Sequence, residues 1–482
     1  MGGTKEDRAG KTGTHEQSEP HHERNNQSPG WVAMMFRKET EFQETEIGKL
    51  PKGWKIKRLG EIAKIVNGVN FPLKLQGKKN GKYPFIKVND MNNSYKYIFN
   101  AENYVDDEDL PKLKAKPFPK NTIIFPKIGM AIRLNKYRIL GTDALFDNNT
   151  AGIITNENVA YYEFIYYYLQ GNVDLITLAN TTTVPAISKS RLEGLYIPLP
   201  PLEEQKRIAD ILSMIDSGIE IVDRAVAKLE GMKRVLLNEL LTGRIRVREE
   251  NGKLTFYKET EFQDTEIGEI PKEWNVVSLE DVSLTIRTGP FGSQLKKSEL
   301  SESGIKVYTQ ENVLKNDFSL GNLYISYDKF EQLKNMEVKP GDVLLTIRGS
   351  IGYSAVFPEG AERGIIHTNL AYIRVKISLL SPKYLSLLIN YHSSIKSQLI
   401  TLSSATTLGA LYAKNIKKIK IPLPPLHEQQ KIVEILSMID KAIELYRKEK
   451  ERLSRLKRGL MSVLLTGRVR VIGDVKNVGV VT

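Results

Sequence analysis

The residues that could do chemistry in this 482-residue chain are few, and they do not assemble into a reactive set. There is no cysteine, which removes thiol nucleophiles, Cys-ligated zinc, iron–sulfur clusters and disulfides. A zinc hydrolase needs HExxH and a phosphate-binding loop needs GxxxxGK[ST], and neither occurs; Gly10-Lys11-Thr12 lacks the first glycine at the required place. An amino-group methyltransferase needs an Asn- or Asp-Pro-Pro-aromatic box, and that is absent too. Of six histidines, His15, His21 and His22 lie in a polar leader, and His367, His392 and His427 are isolated from one another. The acidic run Asp106-Asp-Glu-Asp109 reads as a solvated surface. The expectation is a chain with no catalytic residue, no metal and no bound cofactor of its own.

Cations and amides are plentiful instead. Seventy Lys+Arg against 57 Asp+Glu give a net charge of +13, which points to a polyanion partner. Residues 36–199 carry 24 basic and 17 acidic side chains, the more basic of the two bodies described below. Arg and Lys suit guanine edges, Asn and Gln suit adenine, and small polar residues suit phosphate. On that chemistry, in segments that read as loops, the candidate DNA-contacting residues are Asn67, Asn70, Lys78, Lys79, Lys87, Lys127 and Arg133. Further along they are Arg287, Ser293, Gln294, Lys296, Gln310, Arg348 and Ser350.

The elements that must hold these residues are written twice. Residues 36–54 (FRKETEFQETEIGKLPKGW) return at 256–274 with 14 identities in 19 positions, and residues 197–216 (IPLPPLEEQKRIADILSMID) return at 421–440 with 15 in 20. LLTGRIRV ending at Val247 returns as LLTGRVRV ending at Val471. A period above 200 residues is a domain duplication rather than a solenoid, so one chain imitates a symmetric dimer. His427 stands where the first copy has Glu203, which argues against a catalytic role. The predicted boundaries are a disordered extension at 1–35, a first body at 36–199, a helical spacer at 200–250, a second body at 251–423, a second spacer at 424–472 and a tail at 473–482.

After each Pro-Pro the apolar residues fall at steps of three and four. The first seam is Ile208, Ile211, Ile215, Ile219, Val222, Leu229 and Leu236, with Val226, Met232 and Leu240 on the same stripe; the second is Ile432, Ile435, Ile439, Ile443, Leu453 and Leu460, with Tyr446, Leu456 and Leu464 on its stripe and Lys450 interrupting it. About 40 residues make a rod of roughly 60 Å, too long and too narrowly apolar to bury itself, so the two rods are expected to pair antiparallel as a coiled coil. The segments 123–125 and 343–345 read as buried strands, and the tyrosine run 161–168 as a packing helix. The predicted fold class is α+β: two globular bodies related by a pseudo-two-fold, separated by two long antiparallel helices.

TEIGEIPKEW (265–274), TGPFGSQL (288–295) and IPLPPLxEQxxI opening a long helix, twice over, resemble the specificity subunits of type I restriction–modification systems. The likeness covers residues 36–472. It implies that each body is a target recognition domain for one half of an asymmetric bipartite site in double-stranded DNA, with the coiled coil setting the spacer. It also implies two methylating subunits docked on the helices, carrying S-adenosylmethionine, and restriction subunits using ATP and Mg. The first body departs from the pattern, because VNGVNFPLKL (66–75) lacks the Gly-Pro-Phe-Gly turn, so contact-by-contact equivalence of the bodies is not expected. Two other readings stay open: a stand-alone DNA-modifying or DNA-cleaving enzyme, and a structural coiled-coil adaptor. With no apolar run near 20 residues and no signal-peptide core in residues 1–30, a cytoplasmic protein without a membrane segment is expected.

Overall fold

A computed structural model of the chain describes residues 35–180, 183–404 and 409–473, and of Ser293 the backbone alone. The predicted extension, apart from Met35, and all but the first residue of the predicted tail lie outside the described residues. The chain divides into two compact units: residues 1–220 with 452–482, and residues 221–451. Each unit thus takes part of each long helix, Leu202–Leu241 and Leu426–Leu464.

Both units follow one plan. In the first, a five-stranded sheet orders Ala63–Asn67, Thr150–Thr155, Ile123–Pro126, Arg138–Leu140 and Tyr97–Ile98, all antiparallel but the last pair. In the second, Ser283–Thr288, Leu370–Val375, Val343–Thr346 and Ser354–Val356 repeat the order antiparallel. A smaller sheet accompanies each, with Leu145–Phe146 parallel to Tyr83–Ile86 in one and Gly364–Ile366 parallel to Ile305–Tyr308 in the other. The expected strands at 123–125 and 343–345 are fully buried centres of their sheets. The tyrosine run forms the helix Tyr162–Asn172, with Tyr166 and Tyr167 buried in the core.

The repeated boxes turn out to be one joint, built twice. TEIG closes a tight hairpin in which Thr45 Oγ1 donates to Gly48 O and Thr265 Oγ1 to Gly268 O, each at 2.6 Å, across a glycine at φ near +100°. The buried tryptophans that follow, Trp54 and Trp274, lie under the Thr-Gly turn of a closing box: Cβ atoms added to Gly467 and Gly243 would stand 2.4 Å from Pro51 and Pro271. Within each unit the closing strand then pairs with an opening strand. In the second unit Ile245–Glu250 and Lys253–Lys258 are neighbours in a hairpin. In the first, Val469–Val471 crosses more than 400 residues of sequence to pair with Phe36–Lys38, and buried Met35 accepts from Ile472 N at 2.9 Å.

The Glu-Gln pair of each IPLPPLxEQ box explains its repetition. Gln205 is sealed and spends its amide on Tyr161 N, Val159 O and Pro200 O; Gln429 does the same with Ser381 N, Leu379 O and Pro424 O. The glutamate takes the arginine of the closing box. Arg470 holds Glu204 bidentately at 2.7 and 2.6 Å and Glu39 at 2.7 Å; Arg246 holds Glu428 at 2.6 and 2.9 Å and Glu259 at 2.7 Å. Each guanidinium also faces its tryptophan ring, at 5.8 and 5.6 Å. A helix start, an opening box and a closing box are thereby tied at one buried point.

Within the units the helices pair antiparallel. In the second, Asp223, Glu230 and Lys233 meet Lys450, Arg447 and Asp440 at 2.5 to 2.6 Å, one series ascending as the other descends. In the first, Asp216 meets Lys457 at 2.7 Å, and Ile208, Ile211 and Leu212 share a core with Leu464 and Leu465. Of the predicted seam, Ile208, Ile211, Val222, Ile432, Ile435, Ile439 and Ile443 are buried. Ile215, Ile219, Leu229, Leu236, Leu453 and Leu460 are half-buried. Met232, Tyr446 and Leu456 are exposed instead, where ion pairs such as Lys233–Asp440, Lys450–Asp223 and Lys457–Asp216 flank the seam. The interruption at Lys450 is therefore a polar contact and not a gap.

Candidate nucleic-acid interface

In each main sheet the first and third strands run opposite to the strand between them, so two C-terminal ends and one N-terminal end share an edge. The loops leaving that edge carry most of the candidate residues. Their geometry is set by one glycine per body. Gly68 N donates to Thr150 O at 3.1 Å and Gly289 N to Leu370 O at 2.8 Å. A Cβ on Gly68 would lie 1.9 Å from Asp147 O, and one on Gly289 2.2 Å from His367 O, so no other residue allows the loops to cross. The two loops, expected to be unlike, share this crossing and diverge only beyond it.

In the first body the edge brings Asn67 and Lys127 together, Lys127 Nζ donating to Asn67 Oδ1 at 2.7 Å. Burial holds the Lys127 ammonium below its ordinary range, with Asp147 opposing that shift. Lys87 reaches Gln76 Oε1 at 2.7 Å and lies 5.4 Å from the Phe71 ring centre, folding the 66–76 loop onto itself. Asn70 is exposed on that loop, and Arg133 is exposed on the turn Met130–Leu134 that follows the third strand. The lysine cluster farther along is partly spent. Lys78 is paired with Asp106 and Lys82 with Asp107, while Lys79 is exposed. The acidic run read as solvated surface thus neutralises part of the basic segment beside it.

In the second body Arg287 and Gln294 line a cleft of about 710 Å³ together with Thr288, Gly289 and Phe291. Gln294 Oε1 accepts from Phe291 N at 2.8 Å and so caps the turn Gly292–Gln294 in which the backbone of Ser293 lies. Lys296 uses its backbone N–H on Glu299, and its side chain is exposed. Gln310 opens the helix Gln310–Lys315 and stands beside Gly349, while Ser350 is exposed on the same turn as Arg348. The Arg348 guanidinium sits 5.0 Å from the Phe291 ring centre, and Phe291 stacks on Tyr412 at 5.9 Å.

Phe291, Tyr412 and His367 were not legible as site residues. Neither Phe291 nor Tyr412 was among the candidates, and His367 read as an isolated histidine. A signal existed only for Phe291, inside the Gly-Pro-Phe-Gly turn. Burial holds the His367 imidazole below its usual range. Among the described residues no group of His, Asp and Glu has a metal-binding arrangement, and no helix is long and apolar enough to cross a membrane. What the two edges offer is guanidinium, ammonium and amide groups on loops held by a rigid sheet, the chemistry of phosphate and base-edge recognition.

The comparisons agree with that chemistry. The family described as "Type I restriction modification DNA specificity domain" matches residues 51–230 and again 271–455. The chain is 27% identical over 455 residues to the type I restriction enzyme MjaVIII specificity subunit of Methanocaldococcus jannaschii, covering 91% of this chain and 98% of that one. It is 25% identical over 385 residues to the EcoBI specificity subunit of Escherichia coli, covering 78% and 77%. Among solved structures, the type I restriction–modification S subunit from M. genitalium shares the fold at a TM-score of 0.52 with 16% identity, covering 85% of this chain and 96% of that one. The twofold match, falling on the two repeats, means that this chain belongs to the type I restriction–modification DNA specificity family.

Proposed function

We propose that this chain is the non-catalytic, address-bearing subunit of a type I restriction–modification complex acting in the cytoplasm, each body reading one half of an asymmetric bipartite DNA site. The observation that carries the reading is the twofold family match, one copy on each body, combined with a loop-bearing sheet edge rich in Arg, Lys, Asn and Gln in each. The divergence of the two loops beyond Gly68 and Gly289 supports two different half-sites. In this reading the paired helices, 40 and 39 residues long, govern the gap between the half-sites. Methylating subunits supply S-adenosylmethionine chemistry, and restriction subunits supply ATP- and Mg-dependent chemistry.

The isolated chain binds duplex DNA with affinity falling about 10³- to 10⁵-fold between 50 and 200 mM salt if six to ten phosphates are engaged. Titration of labelled duplex over that range checks this, and a flat profile would count against phosphate contacts. In a host supplying a methylating partner, methylome sequencing then returns one bipartite motif and its spacer. Turnover of DNA by the purified chain with Mg and S-adenosylmethionine would instead favour a stand-alone enzyme.

Docking of the methylating subunits has its own support. Three positions repeated 224 residues apart expose an apolar side chain on both long helices: Met214 and Met438 (56% and 49%), Ile221 and Leu445 (61% and 66%), Met232 and Leu456 (44% and 45%). Exposed apolar positions repeated in this way fit a partner surface. Replacing Ile221 and Leu445 by Asp is expected to cost copurification with a methylating subunit by tenfold or more, with DNA binding by the free chain unchanged. Undiminished copurification moves the docking site elsewhere.

A further inference from the structure

Arg348 differs from several other basic residues of the second body. Lys306, Arg363 and Arg374 are each engaged by a carboxylate. Arg348 has no hydrogen bond or ion pair among the described residues, yet it is not a loose surface chain. Its guanidinium faces Phe291 at 5.0 Å, and the Phe291–Tyr412 stack, with rings 24° apart, backs that contact. Its Nε is sealed from solvent with no partner, while the two Nη groups, also unbonded, are not sealed. The backbone beneath is a turn fixed by Gly349 at φ +68° and Gly352 at φ +86°, with the Gln310 amide close beside Gly349.

A free arginine samples many rotamers, and a guanidinium stacked on an aromatic ring has already lost much of that freedom. A planar pair of donors so held matches two acceptors in one plane. A phosphate presents such a pair too, but a phosphate contact would carry no base preference. In the major groove the paired acceptors are O6 and N7 of guanine. We propose that Arg348, held by the Phe291–Tyr412 stack, reads a guanine in the half-site bound by the second body. This deepens the DNA-addressing reading and depends on it.

The test uses the full chain with its methylating partner. Methylome sequencing with the unaltered chain first returns the bipartite motif; if no bipartite motif appears, the DNA-addressing reading fails before Arg348 is in question. Given a motif, Arg348→Met is expected to abolish the requirement for guanine at one position of one half-site and to leave the other half-site unchanged. Phe291→Leu, which removes the stacked plane but keeps the arginine, is expected to weaken the same preference. On the unaltered protein, a duplex with 7-deazaguanine at that position, lacking N7, is expected to bind about 5- to 150-fold more weakly. This arm is independent of whether the variants fold. The proposal is overturned if the second body's half-site contains no G·C pair, if Arg348→Met keeps full stringency, or if 7-deazaguanine binds as well as guanine at every position of that half-site.

Discussion

Gly68→Ala is expected to erase recognition of one half-site, and Gly289→Ala that of the other. Both glycines lie where a loop crosses the backbone of the loop before the middle strand. A methyl group at 1.9 Å from Asp147 O or 2.2 Å from His367 O must push one loop off the sheet edge. Overpacking that has no side chain to yield costs about 1–3 kcal/mol or more, and here the displaced segment carries Asn67 and Asn70 or Phe291 and Gln294. The expected result in a methylome is loss of stringency, by tenfold or more, confined to the half-site of the altered body. Each variant is the other's control. If either substitution left both half-sites read as before, the sheet edge would not be the reading surface.

Arg470→Met is expected to lower the stability of the chain by about 3–5 kcal/mol, because it strands two carboxylates in a buried place. Glu204 and Glu39 are 5% and 9% exposed, and the guanidinium is their shared partner. The arginine also closes the strand pairing between Val469–Val471 and Phe36–Lys38, so its loss loosens the joint between the two ends of the described chain. Denaturant unfolding of the full chain measures the loss. Adding Glu204→Gln and Glu39→Gln to Arg470→Met is expected to recover part of it by removing the unpaired charge. A single variant as stable as the original chain would mean that the joint holds without its ion pairs. The pH dependence has a definite sign. Hydrogen bonds from the backbone of Glu41, then the Arg470 side chain and the backbone of Thr40, lower the Glu39 carboxyl to about 2 against desolvation. A depressed carboxyl stabilises the fold fully above its unfolded value near 4.5, and that contribution fades as pH falls from there toward 2. Glu39→Gln is therefore expected to flatten the acid limb of the stability curve in that window.

Repetition was the most legible feature, since a box that returns 220 residues later with Trp, Pro and Gly in place must satisfy one geometry twice. The helices were legible because steps of three and four over 40 residues admit no other regular structure. The buried strands at 123–125 and 343–345 were legible from composition. Individual site residues were much less so. Lys78 and Arg348 look alike in sequence, and only the fold shows that one is spent on Asp106 while the other is stacked and unpaired. The seam was overextended at Met232, Tyr446 and Leu456 because periodicity reports which face is apolar, not where ion pairs such as Lys450–Asp223 replace apolar contact.

Local order follows from side-chain pattern, so the chain's amino acids were enough to establish a duplicated plan and two long rods. Which segments complete one another is a matter of closure in space. The pairing of Val469–Val471 with Phe36–Lys38 and the convergence of Arg470 on Glu204 and Glu39 join residues hundreds of positions apart. The crossing of Gly289 over His367 O joins residues 78 positions apart. No spacing rule encodes such contacts, because they depend on how packed elements bring distant backbone together.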